Sequence, residues 1–495
     1  VFDEVLGLLA TRPGGETAIH LSAPERAEVS RDRLVNDVRA VAAGGTAAPA
    51  GSSTWVQVRD PYLHVVAALG SLCHGSVALI EPVGPAAAFD RLAALCWPAQ
   101  VVADAADAEV VRWARERGHP VRIVDRTPAG RLNGAGPRGV ADARLQFFSS
   151  GTTGEPKCLG VGGAQLVAAV RGVGARLALG PADVSLSVAQ LNHTLGLVTT
   201  VLVGLAAGGS VAFADPTRAR DVAATIDAVG PTWCAATPST HRLLRRIARG
   251  AGLDWPALRL LRSSAAPLPD DLAAELEEHF GVPVLNAYAM TEAPGEVASQ
   301  SLADERVPGT VGRPTLCEVE IRSHGAALPA GASGEVWVRG PNVVPRDLSA
   351  APGSWQATGD VGVLDETGLL RLTGRTADVI NKGGLKVWPP DVEAAALRHP
   401  HVRAAVAFPI PHRGLGETIG LAVVPRDGQA VDGSAVRRLL RDELPRDQWP
   451  SSVVVWDRVP VTPRGKVDRR GLWRHVVDAP GAGGPLGGGT RTDAS

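Results

Sequence analysis

The sequence predicts an α/β protein: a large N-terminal domain built of α/β subdomains with a small β subdomain, followed by a small α+β domain. Three observations carry this. Short apolar strands alternate with helical runs as far as Thr310. From there the pattern becomes short strands between Gly and Pro turns, and after Gly374 a second compact unit begins. Strands that alternate with helices predict a parallel sheet with helical crossovers.

The elements follow in order. Tyr62 to Leu72 reads as a helix opened by Pro61, and Ser76 to Ile80 as a buried strand. Ala99 to Ala103, Val121 to Val124 and Leu145 to Phe148 are further short apolar strands, while Gly- and Ala-rich Ala42 to Ser53 reads as a loop. Asp221 to Val229 is expected to be helical, Trp233 to Ala236 a strand, and Pro269 to Phe280 a helix whose start is marked by prolines. Glu318 to Ile321, Gly334 to Val338 and Gly368 to Leu372 form the small β subdomain. In the second unit, Pro389-Pro390 opens a helix with Asp391 and Glu393 in its first turn, where acids favour the helix dipole, and Pro400 ends it. Strands Val402 to Phe408 and Ile419 to Val424 and a helix from Ser434 to Leu444 complete it. The expected boundaries are 1–374 for the N-terminal domain and 375–476 for the C-terminal one. A Gly-rich tail, 477–495, buries too little apolar surface to fold.

The chain has 495 residues and 45% hydrophobic content, enough for more than one core. A net charge of −1 provides no global field toward nucleic acid or anionic lipid. Five cysteines, an odd number with no C-x-x-C pair, argue against a disulfide framework or a zinc site and suit a reducing, cytoplasmic setting. The N-terminal run V-F-D-E-V-L-G-L-L-A carries acids early and has no basic n-region, unlike a secretory signal. Leu191 to Ala214 contains no Lys, Arg, Asp or Glu, but Asn192, His193, several Thr and Gly208-Gly209 interrupt it. It reads as a buried helix followed by a buried strand rather than a membrane span.

Of 50 basic residues only four are lysines: Lys157, Lys382, Lys386 and Lys466. A compact ammonium is not interchangeable with a guanidinium where a point charge must reach a phosphate. Lys157 closes Phe147 to Lys157, F-F-S-S-G-T-T-G-E-P-K, in which an apolar strand runs into small hydroxyl and glycine residues. Glycines let the backbone approach an anion, and successive N–H groups can cradle phosphate oxygens. A Walker loop is excluded, because Gly151 and Gly154 are three apart and no Gly precedes Lys157. On composition alone a Ser/Gly/Thr surface turn remains open.

The order of residues resembles the phosphate-binding signature of the ANL superfamily, which contains acyl-CoA synthetases, peptide-synthetase adenylation domains and beetle luciferases. Five further segments resemble that family's motifs, in family order. They are S-S-A-A-P-L (Ser263 to Leu268), N-A-Y-A-M-T-E (Asn286 to Glu292), T-G-D (Thr358 to Asp360), G-R-T-A-D-V-I-N-K-G-G-L-K-V (Gly374 to Val387) and P-R-G-K-V-D-R (Pro463 to Arg469). The resemblance runs from Thr54 to Trp473.

The resemblance implies ATP-dependent adenylation of a carboxylic acid with loss of pyrophosphate, then transfer of the acyl group to a thiol. Ser149, Ser150, Gly151, Thr152, Thr153, Gly154 and Lys157 would hold the β- and γ-phosphates. Tyr288 would lie against the adenine, Ala265, Ala266 and Ala287 would belong to the ATP/AMP-binding site, and Asp360 with Arg375 would hold the ribose. Thr291 would contact the α-phosphate and Glu292 would help hold Mg²⁺. Lys466 would bridge the carboxylate and the α-phosphate. His193, Ala289 and Met290 would border the acid; for His193 a hydrogen-bonded core histidine is the alternative. After adenylation the C-terminal domain would rotate, and the loop at Lys382, Gly383 and Gly384 would assist the thiol; a plain strand-connecting hairpin is the other reading of that loop.

Several positions depart from the family pattern. Ala377 stands at the hinge, Ala289 replaces a Gly, Cys158 replaces a Gly after Lys157, and Asn381 stands at the I-K position. The extra methyl at Ala289 predicts a modest acyl or aryl group. The absence of an Asp between Leu186 and Ala214 favours a fatty or aryl acid over an α-amino acid. The acceptor is expected to be CoA; the alternative is the phosphopantetheine of a separate acyl carrier protein, since no D-S-L attachment motif follows residue 470. A nucleotide-binding protein without catalysis is the remaining reading, which the retained Lys157, Glu292, Asp360, Arg375 and Lys466 weigh against.

Overall fold

The computed structural model describes residues 2–10, 16–21, 27–45, 47–49, 51–81, 86–126, 142–150, 156–323, 325–345, 351, 353–460, 467 and 469–477. The tail expected from 477 lies outside them but for its first residue. The described residues form a large α/β domain with a β subdomain and a smaller α+β domain. By compactness the chain divides into a larger unit, Val1–Ala332, Trp337–Thr358 and Leu364–Arg371, and a smaller one, Ser333–Val336, Gly359–Val363 and Leu372–Ser495.

The larger unit holds two sheets. The nine-stranded one has the spatial order Arg313–Pro314, Ala293–Ser299, Val284–Met290, Leu260–Ser263, Trp233–Ala236, Val184–Ser187, Ser210–Phe213, Thr17–His20 and Glu28–Ser30. Pairing is parallel from Val284–Met290 through Thr17–His20. Both faces are covered, so buried strand residues alternate between two cores. Trp233, Ala235, Leu260 and Leu285 join one cluster, while Cys234, Ala236, Leu261 and Val284 join the other. From Val184–Ser187 the chain steps outward to Ser210–Phe213, then returns past its start to Trp233–Ala236. The carboxyl ends of Val184–Ser187 and Trp233–Ala236 therefore flank a topological switch point, where open α/β sheets place their ligands.

The apolar run after residue 191 becomes a helix and then a strand, as expected, but the helix opens as a π-helix, Leu195–Leu202, before an α-turn at Val203–Ala206 and the strand Ser210–Phe213. Hydroxyls fill the widened turn: Thr200 Oγ1 donates to Leu195 O at 2.9 Å, and Ser185 Oγ to Thr200 O at 2.8 Å. The second sheet orders Val121–Ile123, Trp97–Ala103, Ser52–Gln57, Ser76–Leu79, Leu145–Ser150 and Pro156–Val161. The expected loop at Ala42 to Ser53 is trimmed at both ends, since helix Arg31–Ala43 takes its first residues and strand Ser52–Gln57 its last.

In the smaller unit a sheet orders Leu385–Val387, Ile380–Lys382, Gly416–Pro425 and Val402–His412, with Ser452–Val455 parallel to Gly416–Pro425. Pro389 and Pro390 start the helix Pro389–Leu397, as the sequence predicts. That helix and Gly433–Glu443 cover one face through Val392, Ala396, Val436 and Leu440; Leu472 packs on the other against Phe408 and Ile410. A five-stranded sheet of Ala326–Ala327, Glu318–Ser323, Ser333–Arg339, Gln356–Leu364 and Leu370–Arg375 forms the β subdomain. No helix among the described residues is long and apolar enough to cross a membrane.

Candidate active site

The phosphate-loop candidate lies on an antiparallel hairpin. Leu145–Ser150 pairs with Pro156–Val161, Ser149 opposite Lys157 and Ser150 opposite Pro156. An apolar strand ending in Ser-Ser and returning at Pro-Lys thus brings the ends of the loop together, with the Lys157 side chain exposed. Gly151, Thr152, Thr153 and Gly154 lie outside the described residues.

Other candidates follow the carboxyl ends of strands in the nine-stranded sheet. Ala265 and Ala266 follow strand Leu260–Ser263 and are exposed, immediately after buried Ser263 and Ser264. Ala265 adopts φ +67°, a left-handed conformation that costs a residue with a Cβ about 1–2 kcal/mol. Strand Val284–Met290 runs four residues past Asn286, which marks the end of its pairing with Leu260–Ser263, and turns back into Ala293–Ser299. Thr291 and Glu292 are the two turn residues of that hairpin, both half-buried and neither with positive φ. Ala287 and Tyr288 are buried, and Ala289 sits where the register shifts between Tyr288 and Met290. The Tyr288 hydroxyl lies 4.0 Å from Met290 Sδ. His193 is half-buried at the switch point, its carbonyl accepting from Leu197 N at 3.1 Å where the π-helix begins.

The sequence reading missed what holds this hairpin. Arg262 and Glu296 are both buried, with the Arg262 Nη2 donor 3.2 Å from Glu296 Oε2 and 3.0 Å from Gly295 O. Burial pulls the guanidinium pKa down from its ordinary value, and the neighbouring carboxylate opposes that shift. Asn342 Nδ2 donates to Pro294 O at 3.0 Å and Glu296 O at 2.8 Å, and Val344 N donates to Glu292 O at 2.7 Å. The motif's Asn286 is a strut too, its amide reaching Thr310 O at 2.9 Å. The visible signal was a charged residue inside an apolar strand, L-L-R-S, which needs a buried partner.

In the smaller unit, Asp360 is buried and Arg375 is not. Nε of Arg375 lies 2.9 Å from Asp360 Oδ1, with side-chain exposures of 54% and 9%. The T-G-D glycine is needed for its backbone: Gly359 has φ +78°, and its carbonyl accepts from Thr376 Oγ1 at 3.1 Å. A residue with a Cβ there would strain the link between Asp360 and the segment that follows Arg375. Lys382, Gly383 and Gly384 form the turn end of the hairpin Ile380–Lys382 and Leu385–Val387. Gly383 and Gly384 both have positive φ, +62° and +91°, as the twist-compatible two-residue hairpin turn requires. Lys382 Nζ donates to Asp447 O at 2.8 Å and Trp449 O at 3.2 Å, and burial draws its pKa down against the pull of Asp447.

Lys466 lies outside the described residues. Beyond it, Arg469 is anchored on Glu393 and donates to Ala407 O at 2.9 Å. Arg470, which the motif reading passed over, donates to Ala377 O at 3.1 Å and Val379 O at 3.3 Å and pairs with Glu417 at 2.7 Å. The segment around Ala377, where the resemblance would put a hinge, is therefore held through the carbonyls of Ala377 and Val379.

A doubly wound sheet with a topological switch point and a Thr-Glu turn at its carboxyl edge is the α/β architecture in which ligands bind at the carboxyl ends of the strands. The AMP-binding enzyme family matches residues 63–346, and the AMP-binding enzyme C-terminal domain matches residues 391–466. The chain is 37% identical over 352 residues to a probable CoA ligase of Humulus lupulus, covering 68% of this chain and 67% of that one. It is 35% identical over 354 residues to an oxalate–CoA ligase of Arabidopsis thaliana, covering 68% of each. Among solved structures, ATP-bound MatB from Rhodopseudomonas palustris shares the fold with a TM-score of 0.83 at 24% identity, over 96% of this chain and 99% of that one. The amide bond synthetase McbA from Marinactinospora thermotolerans aligns with a TM-score of 0.81 at 26% identity, over 94% and 98%. The chain belongs to the AMP-binding enzyme family, the ANL superfamily of AMP-forming enzymes that activate carboxylic acids as acyl-adenylates.

Proposed function

We propose that this enzyme joins a small carboxylic acid to AMP and passes the acyl group to the thiol of CoA. The observation that carries the reading is the Thr291-Glu292 turn, braced from below at the carboxyl edge of the sheet, in a chain that is more than a third identical to named CoA ligases. A sulfoacetate–CoA ligase of Cupriavidus necator, 33% identical over 346 residues, and the oxalate–CoA ligase above both act on short acids, which agrees with a pocket narrowed by the Ala289 methyl.

Adenylation is an in-line attack of a carboxylate on the α-phosphorus, and both reactants are anionic. The protein's task is to offset their repulsion, hold them in line and stabilise charge on phosphate oxygens. In this account the 149–157 hairpin holds the β- and γ-phosphates with backbone N–H groups, hydroxyls and the Lys157 ammonium. Thr291 donates to the α-phosphate, and Tyr288 with Ala265, Ala266 and Ala287 borders the adenine. Asp360, oriented by Arg375, accepts from the ribose hydroxyls, and Lys466 bridges the two reacting anions. Among the described residues no three carboxylate, His or Cys groups cluster to hold a metal by themselves. Glu292, a single hard-oxygen donor, fits Mg²⁺ bound mainly through nucleotide phosphates; that ion would neutralise charge on the leaving pyrophosphate.

The acceptor is tested by following thioester formation from ATP, Mg²⁺ and a panel of short, aryl and fatty acids. CoA, a phosphopantetheinylated carrier protein and a simple amine serve as parallel acceptors. The proposal expects thioester with CoA at least tenfold faster than with either alternative. Turnover only with the carrier protein or the amine would replace CoA by that acceptor.

A further inference from the structure

Cys158 lies in the strand Pro156–Val161, one residue beyond Lys157, opposite Phe148. Gln146 stands two residues before Phe148, so the side chains of Gln146, Phe148 and Cys158 share one face of the sheet. Cys96 reaches that face from the end of helix Ala86–Leu95. As a thiol it donates from Sγ to Gln146 Oε1 at 3.1 Å, its carbonyl accepts from Trp55 Nε1 at 3.0 Å, and this placement sets Cys96 near enough to Cys158 for each to shift the other's titration. Phe148 and Cys158 pack with Cys96 in one cluster that includes Phe89 and Trp113. Cys96 is 5% exposed, while Cys158 is half-buried and gives the pair its side open to small molecules.

The pair differs from the other thiols. Burial pushes the Cys234 and Cys317 thiols up to about 12, and raises Cys73. Cys96 is drawn down to about 7, first by the hydrogen bond from Cys158 and against its own burial, while the Cys158 thiol is raised by the same contact. A thiolate beside a protonated thiol is the arrangement that oxidises to a disulfide.

We propose that Cys96 and Cys158 form a reversible intramolecular disulfide on exposure to a peroxide, and that this bond tethers the returning strand of the phosphate-loop hairpin to the helix–strand junction beside it. The Cys96 thiolate attacks one peroxide oxygen and the O–O bond breaks, giving a sulfenic acid and water. The Cys158 sulfur then displaces the sulfenic oxygen, which leaves as a second water. Two thiols lose two electrons and two protons, and one peroxide becomes two waters. A dithiol reductant reverses the bond by exchange. The effect on ATP use rests on the proposed function; the bond itself does not.

The full-length native protein is treated with stoichiometric hydrogen peroxide, alkylated, and digested without reduction for mass spectrometry. The expected result is a cross-linked peptide pair joining Cys96 to Cys158, with Cys73, Cys234 and Cys317 alkylated only after unfolding. Its rate of formation rises as pH passes about 7, following the thiolate. In Cys158→Ser the cross-link is absent and Cys96 is trapped by dimedone as the sulfenic acid. ATP-dependent pyrophosphate release by the oxidised wild type falls at least fivefold and recovers with dithiothreitol, while Cys158→Ser is spared that loss. Separate oxidation of the two cysteines without a cross-link overturns the proposal, and a cross-link that leaves pyrophosphate release unchanged overturns its tethering role. A protein with no ATP-dependent activity at all would refute the proposed function, and the peptide map would still decide the disulfide.

Discussion

Lys466→Ala lowers acid-dependent exchange of pyrophosphate into ATP by on the order of 10²–10³-fold, the loss found when one preorganised donor to a developing oxyanion is removed. The expectation follows from the charges. A carboxylate and an α-phosphate repel one another as they approach, and a single ammonium between them interacts more strongly with the bridged transition state than with either reactant alone. ATP binding, which the proposal assigns to the 149–157 hairpin, the Thr-Glu turn and Asp360, is expected to change by less than tenfold, so calorimetry on the same variant separates the two effects. Lys466→Arg is expected to recover little, because a planar guanidinium does not occupy the place of a compact ammonium. A Lys466→Ala enzyme that exchanges pyrophosphate as fast as wild type would remove this residue from the mechanism.

The second large effect is on stability. Glu296→Ala strands the Arg262 guanidinium inside the sheet, with the two side chains 0% and 1% exposed. Removing one partner of such a pair costs about 3–5 kcal/mol, because the remaining charge is left uncompensated. Denaturant titration of Glu296→Ala against wild type measures the loss directly. The double variant Arg262→Met with Glu296→Met removes both charges and is expected to lie much closer to wild type than Glu296→Ala does, a strong non-additivity that marks direct coupling. Equal destabilisation by the single and double variants would show that packing volume, and not the ion pair, matters at this site.

Much of this architecture could be read before any coordinates. The strand, helix and turn order of the larger unit follows from short apolar runs separated by Pro and Gly, and Pro389-Pro390 starts a helix because proline's fixed φ suits its first turn. The strand leading to the Lys157 loop was legible as an apolar run ending in small residues, but the returning strand Pro156–Val161 that makes it a hairpin was not. The braces were not. Arg262 meets Glu296 only because the strands of a hairpin and its neighbour come into register, a relation between residues 34 positions apart that no local pattern encodes. The π-helix at Leu195–Leu202 escaped for a different reason: a segment apolar on every side carries no periodicity from which a widened turn could be told from an ordinary one. Ala377 read as a missing hinge side chain, whereas the structure gives its carbonyl to Arg470, a bond that depends on backbone placement and leaves no trace in residue type. The odd cysteine count likewise argued against a disulfide framework, and it hid two thiols that the sheet brings together.

The central claim is that this chain binds Mg·ATP and uses it to activate an organic acid. The direct test is exchange of labelled pyrophosphate into ATP by the wild-type protein, with Mg²⁺ and without any thiol, across a panel of short, aryl and fatty acids. The account predicts exchange that depends on at least one acid and stops when Mg²⁺ is chelated. No exchange with any acid, together with no calorimetric signal for ATP, would contradict it.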